Sequence, residues 1–232
     1  MAINPQIKTI ALRPSKAPNL LIAPVDYSQY YQDQLLNTLR LYFSQIDNFS
    51  QLFSGSNGGA YLHFPFIAAL DSVTQYATAA NTPTIVQWNT LEAGNGFTLN
   101  ANNTATATNS GIYKITYSLQ LANNDNAIHD VIVWLRVNGS TSTADVANST
   151  TVFTLPARKS ALLPAYVCGY SEVVFQLNAG DSVGLWWGTD QAATSGGATG
   201  TKIIAIPAQT TPMAYPAVPS AIGSITFVSA LE

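Results

Sequence analysis

The stretch "GIYKITYSLQL", residues 111 to 121, places Tyr113, Ile115, Tyr117, Leu119 and Leu121 at every second position. Lys114, Thr116, Ser118 and Gln120 fall between them. Successive side chains of a strand point to opposite faces, so this pattern predicts a half-buried β-strand with one oily and one polar face. The same period returns downstream with a difference. In "HDVIVWLRVNGS" (129 to 140), Val131, Val133, Leu135 and Val137 alternate with Ile132, Trp134 and Arg136. In "DSVGLWWGT" (181 to 189), Val183, Leu185 and Trp187 share one face and Trp186 takes the other. Both faces of these two strands are partly apolar. One face supplies the core of a two-layer sandwich, so the second is expected to meet something else, such as a neighbouring subunit. Trp134 and Trp186 are the candidate residues of that interface.

Further strands are predicted around 64 to 78, 84 to 89, 96 to 108, 150 to 155, 160 to 167, 171 to 178, 202 to 206 and 221 to 229. Turn signals stand at Gly94-Asn95-Gly96, Asn138-Gly139, Ala179-Gly180-Asp181 and Ser195-Gly196-Gly197. Many short strands without a second convincing helix predict a mainly β domain, an antiparallel jelly-roll sandwich over residues 60 to 232.

The first sixty residues follow other rules. Residues 1 to 25 hold four prolines, Pro5, Pro14, Pro18 and Pro24, which predicts an extended arm. Its apolar residues, Leu20, Leu21 and Ile22 among them, need another surface to cover them. Asp26 offers an N-cap with Gln29 three residues on, and a helix is expected from there to Phe53, roughly 40 Å of rod. Within it Leu35, Leu39, Tyr42, Ile46, Phe49 and Phe53 alternate at spacings of four and three, the seam of a coiled coil. Two or three copies would hide such a stripe; packing on the chain's own domain is the other reading. "SGSNGG" (54 to 59) then reads as a Gly/Ser linker.

Charged residues make up 9% of the chain, against roughly 25% in an average globular protein. The net charge of −3 is uneven: with Lys8, Arg13 and Lys16 and no acid, the arm carries +3 and the rest −6. Those three cations either dock the arm on an acidic partner or simply keep a tail solvated. The single cysteine, Cys168, excludes an intrachain disulfide and reads as a small buried hydrophobe. No apolar run reaches the ~18 residues of a membrane span, and the proline-broken N-terminus does not resemble a signal peptide, so assembly in a cytoplasm is expected.

Taken in order, "NSGIYKITYSLQL", "VIVWLRVNGS", "VVFQLNAGDSVGLWW" and "VPSAIGSITFVS" resemble the tumour-necrosis-factor-like jelly roll, also seen in complement-type globular heads. The version most similar is that of bacteriophage, particularly cyanophage, virion proteins. The resemblance covers residues 60 to 230. It implies a ten-strand jelly roll that trimerises about a threefold axis and is displayed at the tip of a stalk. The calcium and receptor contacts of some animal members find no matching residues here.

Chemistry is sparsely signalled. His63 and His129 are the only histidines, the acids are dispersed, and no phosphate-binding glycine loop opens a helix. "NNDNAIHD" (123 to 130) gathers oxygen ligands, but lacks the glycine and final glutamate of a helix-loop-helix calcium site and reads as a strand connection. Basic residues do not cluster with aromatics, which disfavours nucleic acid. No enzyme activity, cofactor, metal site or membrane partner is expected. The expectation is a homotrimeric virion surface protein, a capsid decoration protein or short head fibre, whose arm docks on a major capsid, tail or neck protein. The alternative is a tail or neck fibre whose head binds a host receptor or glycan. For that role the loop "TDQAATSGGATG" (189 to 200) is the exposed contact surface, with Thr189, Asp190, Gln191, Ser195, Gly196 and Gly197 its candidate residues.

Overall fold

The computed structural model describes residues 17–20, 22, 24–54, 64–161, 163–195, 197 and 199–231. The chain divides into two units, Met1–His63 and Phe64–Glu232.

In the first unit a helix, α1, spans Gln29–Ser54, 26 residues without glycine or proline. It starts two residues later than the Asp26 cap predicts. The backbone N–H of Tyr31 donates to Ser28 Oγ (3.4 Å) and that of Gln32 to the Ser28 carbonyl (3.1 Å), so Ser28 is the residue that caps the first turn. Both Asp26 and Ser28 are good caps; Ser28 lies next to the first residue that bonds within the helix. Along α1, Leu35, Leu39, Tyr42, Ile46 and Phe49 are half-buried, whereas Leu36, Leu41 and Phe43 are each more than half exposed. The side chain of Phe53 and the linker 55–59 lie outside the described residues, as do Lys8, Arg13, Lys16 and Leu21 of the arm. Leu20 and Ile22 are exposed.

The second unit is built from strands β1 (Phe66–Asp71), β2 (Thr84–Ile85), β3 (Thr90–Asn95), β4 (Phe97–Leu99), β5 (Ala105–Ala107) and β6 (Gly111–Asn123). It continues with β7 (His129–Val137), β8 (Thr151–Leu155), β9 (Ala165–Leu177), β10 (Ser182–Thr189), β11 (Thr201–Ile203) and β12 (Ala221–Ser229). They form two antiparallel sheets. In the first, β6 pairs with β9 along its whole length, from Gly111 opposite Leu177 to Asn123 opposite Ala165. Its other side meets β12 and then β11, and β12 continues to β1 and β3. The second sheet runs β4-β5-β10-β7-β8, with β2 also on β10.

The alternation seen in the sequence decides which faces meet. Tyr113, Ile115, Tyr117, Leu119 and Leu121 of β6 are buried and share one core with Val131, Val133 and Leu135 of β7 and Val183, Leu185 and Trp187 of β10. Three expectations need correction. The strands expected at 160 to 167 and 171 to 178 are the single strand β9. Cys168 is exposed rather than buried, because alternation along β9 turns Gly169 inward instead. A Cβ at Gly169 would sit 3.0 Å from Leu121 Cδ1 and 3.3 Å from Phe153, so the core fills the place of a side chain there. The segment 96 to 108 is also two strands, β4 and β5, joined by a turn with Asn103 at φ 64.

A buried polar knot closes one end of the first sheet. Gln75 Nε2 donates to Asp71 Oδ2 (2.7 Å) and to the Gln87 carbonyl (3.1 Å), while Gln75 Oε1 accepts the Gln87 backbone N–H (2.8 Å). Ser220 Oγ donates to the Asp71 carbonyl at 3.0 Å. Burial pushes the Asp71 carboxyl above the ordinary carboxylate range despite the donors of Val73 and Gln75. Replacing Gln75 with Ala strands a buried carboxylate and a backbone N–H. Urea denaturation of the variant is expected to show a loss of about 3 kcal/mol; an unchanged midpoint would show the knot to be dispensable.

Candidate functional site

Three connections gather at one end of the second unit: residues 124–128 after β6, 156–164 after β8 and 190–200 after β10. Hydrogen bonds tie them into one surface. Asn123 Nδ2 donates to the carbonyls of Ala127 (2.8 Å) and Pro156 (2.9 Å). The Arg158 backbone N–H donates to the Asp125 carbonyl (2.7 Å), and its Nη1 to the Asn124 carbonyl (3.2 Å). The Asn124 N–H reaches the Gly200 carbonyl at 2.9 Å, joining the first loop to the third.

His129, the first residue of β7, sits between two carboxylates. Its Nδ1 is 3.0 Å from Asp190 Oδ2 and its Nε2 is 3.1 Å from Asp125 Oδ2. Asp190 Oδ1 also accepts the Asp130 backbone N–H (3.1 Å), and Asp130 Oδ1 accepts the Thr154 hydroxyl (2.7 Å). Burial works against the imidazolium. Hydrogen bonds and charge from Asp190 and Asp125 outweigh it, so the His129 pKa stands above the ordinary 6.5. Asp125 is held below the usual carboxylate range by the Asn126 N–H and by His129. Burial pushes Asp190 up, but His129 and the Asp130 N–H prevail and hold it down. The His129 ring thus fills the space between the two carboxylates.

This clamp revises the expected contact loop. Thr189 is buried and shares a 2.6 Å hydrogen bond with Thr201; Asp190 is committed to His129; Gln191 is half-buried, its N–H bonded to Thr189 Oγ1. Thr189 and Asp190 anchor the base of the loop, and Asp190 stays half exposed. Thr194 and Ser195 are exposed, and the Gly197 N–H donates to the Thr194 carbonyl (2.8 Å); Gly196 lies outside the described residues. From the first loop Ile128 adds an apolar side chain, 65% exposed. Asp125 and His129 were visible in "NNDNAIHD", four residues apart. Their partner Asp190, 61 residues beyond His129, stood among the candidates of the contact loop, but no local pattern joined it to them.

On the outer face of the second sheet, Trp134 lies opposite Trp186 in register, with Arg136 opposite Gly184. The guanidinium of Arg136 sits 4.4 Å from the Trp186 ring centre and 5.4 Å from that of Trp134. Asp145 Oδ1 accepts both Arg136 Nε (2.6 Å) and Trp134 Nε1 (2.8 Å), and the Ser140 carbonyl accepts Arg136 Nη1. Asp145 is held below its ordinary pKa, chiefly by the Arg136 hydrogen bond. The two indoles are therefore covered in part by the chain's own arginine. Larger exposed side chains stand on the outer face of the first sheet instead, where Tyr170 and Ile222 flank Ser118 and Val174 adjoins Lys114.

No family model matches the chain, and no curated protein matches it. Among the described residues no helix is long and apolar enough to cross a membrane.

The clamp has a pH window. His129 has a raised folded pKa, so its stabilising contribution is full below its unfolded value near 6.5 and is lost as pH rises through the folded one. The depressed aspartates contribute above about 3.8 and fail as pH falls through their lowered folded values. Amide hydrogen exchange across residues 190–201, corrected for intrinsic rate, is expected to slow at pH 6 and quicken at pH 9. His129→Gln is expected to erase the difference; a variant that keeps it would show that another group sets the loop's order.

Proposed function

We propose that the chain is a homotrimeric virion surface protein: a jelly-roll head on a short helical stalk, anchored to the particle by its N-terminal arm. The observation that carries this reading is the stripe Leu35, Leu39, Tyr42, Ile46 and Phe49 on α1, which needs an apolar partner along its length. Two or three copies of the same helix supply one in register. Two antiparallel sheets, with β9-β6-β12-β1 in one and β5-β10-β7-β8 in the other, support reading this unit as a jelly-roll head.

In such a trimer the outer face of the first sheet, with Tyr170, Val174 and Ile222, is a better meeting surface than Trp134 and Trp186, whose rings Arg136 already engages. A 26-residue rod of about 39 Å fits a capsid decoration protein or short head fibre, made in the host cytoplasm and placed on the virion surface. The docking partner is a major capsid, tail or neck protein that accepts the basic arm. Three arms on one trimer bind with avidity, so each contact can be weak. A second reading, a tail or neck fibre adhesin, is favoured by the loop surface at Ile128 and Ser195, which is exposed yet tethered at its base.

Sedimentation of the full chain at micromolar concentration is expected to give a trimer. The double change Leu39→Asp with Ile46→Asp is expected to weaken that trimer at least tenfold, and a wild-type monomer would end the proposal. Removing residues 1–25 is expected to leave the trimer intact and abolish incorporation into particles. Truncated protein that still decorates particles would remove the docking role of the arm.

A further inference from the structure

The connection after β7 and the turn before β5 enclose a groove of about 480 Å³ beside Trp186, on the outer side of the second sheet. Ile85 and Trp186 form its apolar wall; Asn102, Thr104, Ser140 and Ser182 supply amides and hydroxyls. None of its lining residues carries a charge. Both polar walls are fixed by hydrogen bonds. Asn138, at φ 58, donates its N–H to the Ser182 carbonyl (2.8 Å), accepts the Ser182 N–H on Oδ1 (2.8 Å) and is braced by Asp181 through Nδ2 (2.7 Å). Across the groove Ser182 Oγ donates to Thr104 Oγ1 (2.7 Å), which donates to Asn102 Oδ1 (2.8 Å). The Arg136 guanidinium braces the indole of Trp186 from one side. The Trp186 Nε1–H is buried with no hydrogen-bond partner among the described residues, a donor that the protein itself leaves unused.

We propose that this groove binds a neutral saccharide. A pyranose alternates hydroxyl edges with apolar C–H faces, and the groove matches that alternation with an amide-and-hydroxyl rim against an indole and an isoleucine. No charged residue lines it, and the neighbouring Arg136 is buried and already paired with Asp145, so a charged ligand finds no open counter-charge; its size suits one or two sugar rings. Because its walls are already bonded, little side-chain freedom is lost on binding. The groove is formed within one copy of the chain, so the proposal is independent of the trimer and of the virion reading.

The test uses the full-length protein and a panel of neutral mono- and disaccharides of glucose, galactose, mannose and N-acetylglucosamine, with uronic acids as the charged comparison. Saturation-transfer NMR and tryptophan fluorescence are expected to detect one or more of the neutral sugars. Ser140→Tyr, at an exposed position on the rim, is expected to weaken that binding at least tenfold without moving the melting temperature. Trp186→Phe keeps an aromatic ring but shortens the apolar wall of the groove, and a several-fold loss is expected. Binding of the uronic acids alone, binding unchanged in Ser140→Tyr, or no binding across the panel would each overturn the proposal.

Discussion

The second unit depends on one constraint: β6 carries five large side chains on a single face and must be paired along both edges to hold them there. Thirteen paired positions against β9 on one side, and β12 with β11 on the other, hold its register. A slip of one residue would turn Tyr113, Ile115, Tyr117, Leu119 and Leu121 to water and bring Lys114 into the core. Once that strand is fixed, β7 and β10 have a surface to cover, and their valines, leucines and Trp187 complete the second layer.

Much of this was legible because alternation is a local signal. The inward faces of β6, β7 and β10 follow from residue order alone, and β12 spans the very segment the sequence suggests. Less legible was anything decided by pairing across the chain. Nothing near Gly169 warns that Phe153 and Leu121 take the space of its side chain, so Cys168 was assigned the inward position. Competition between near-equal caps moved the start of α1 from Asp26 to Ser28. The clamp was half visible: Asp125 and His129 lie within one short segment, while Asp190 comes to them only through the pairing of β10 with β7. Arg136 falls with Ile132 and Trp134 on the second face of β7, and the sequence alone does not show that it is buried there. It is 4% exposed, because two indoles and Asp145 converge on it.

The two sheets divide their labours. The outer face of the second is occupied by an arginine laid over two tryptophans and by a hydroxyl-lined groove. The outer face of the first is simpler, with tyrosine, valine and isoleucine left wet around one weak Lys114–Glu172 pair at 3.5 Å. A surface of the second kind suits burial by another copy. A surface of the first kind suits a small ligand. The end loops, braced at their base by His129, form a third region.

Strand β12 lies between β1 and β6, yet it follows both in the chain by about a hundred residues or more. Until it emerges from the ribosome, one edge of β1 and most of one edge of β6 lack their partner. The second unit therefore stays open until β12 arrives. Closure is a late, long-range event, and an interrupted translation product is a seed for aggregation rather than a smaller working domain.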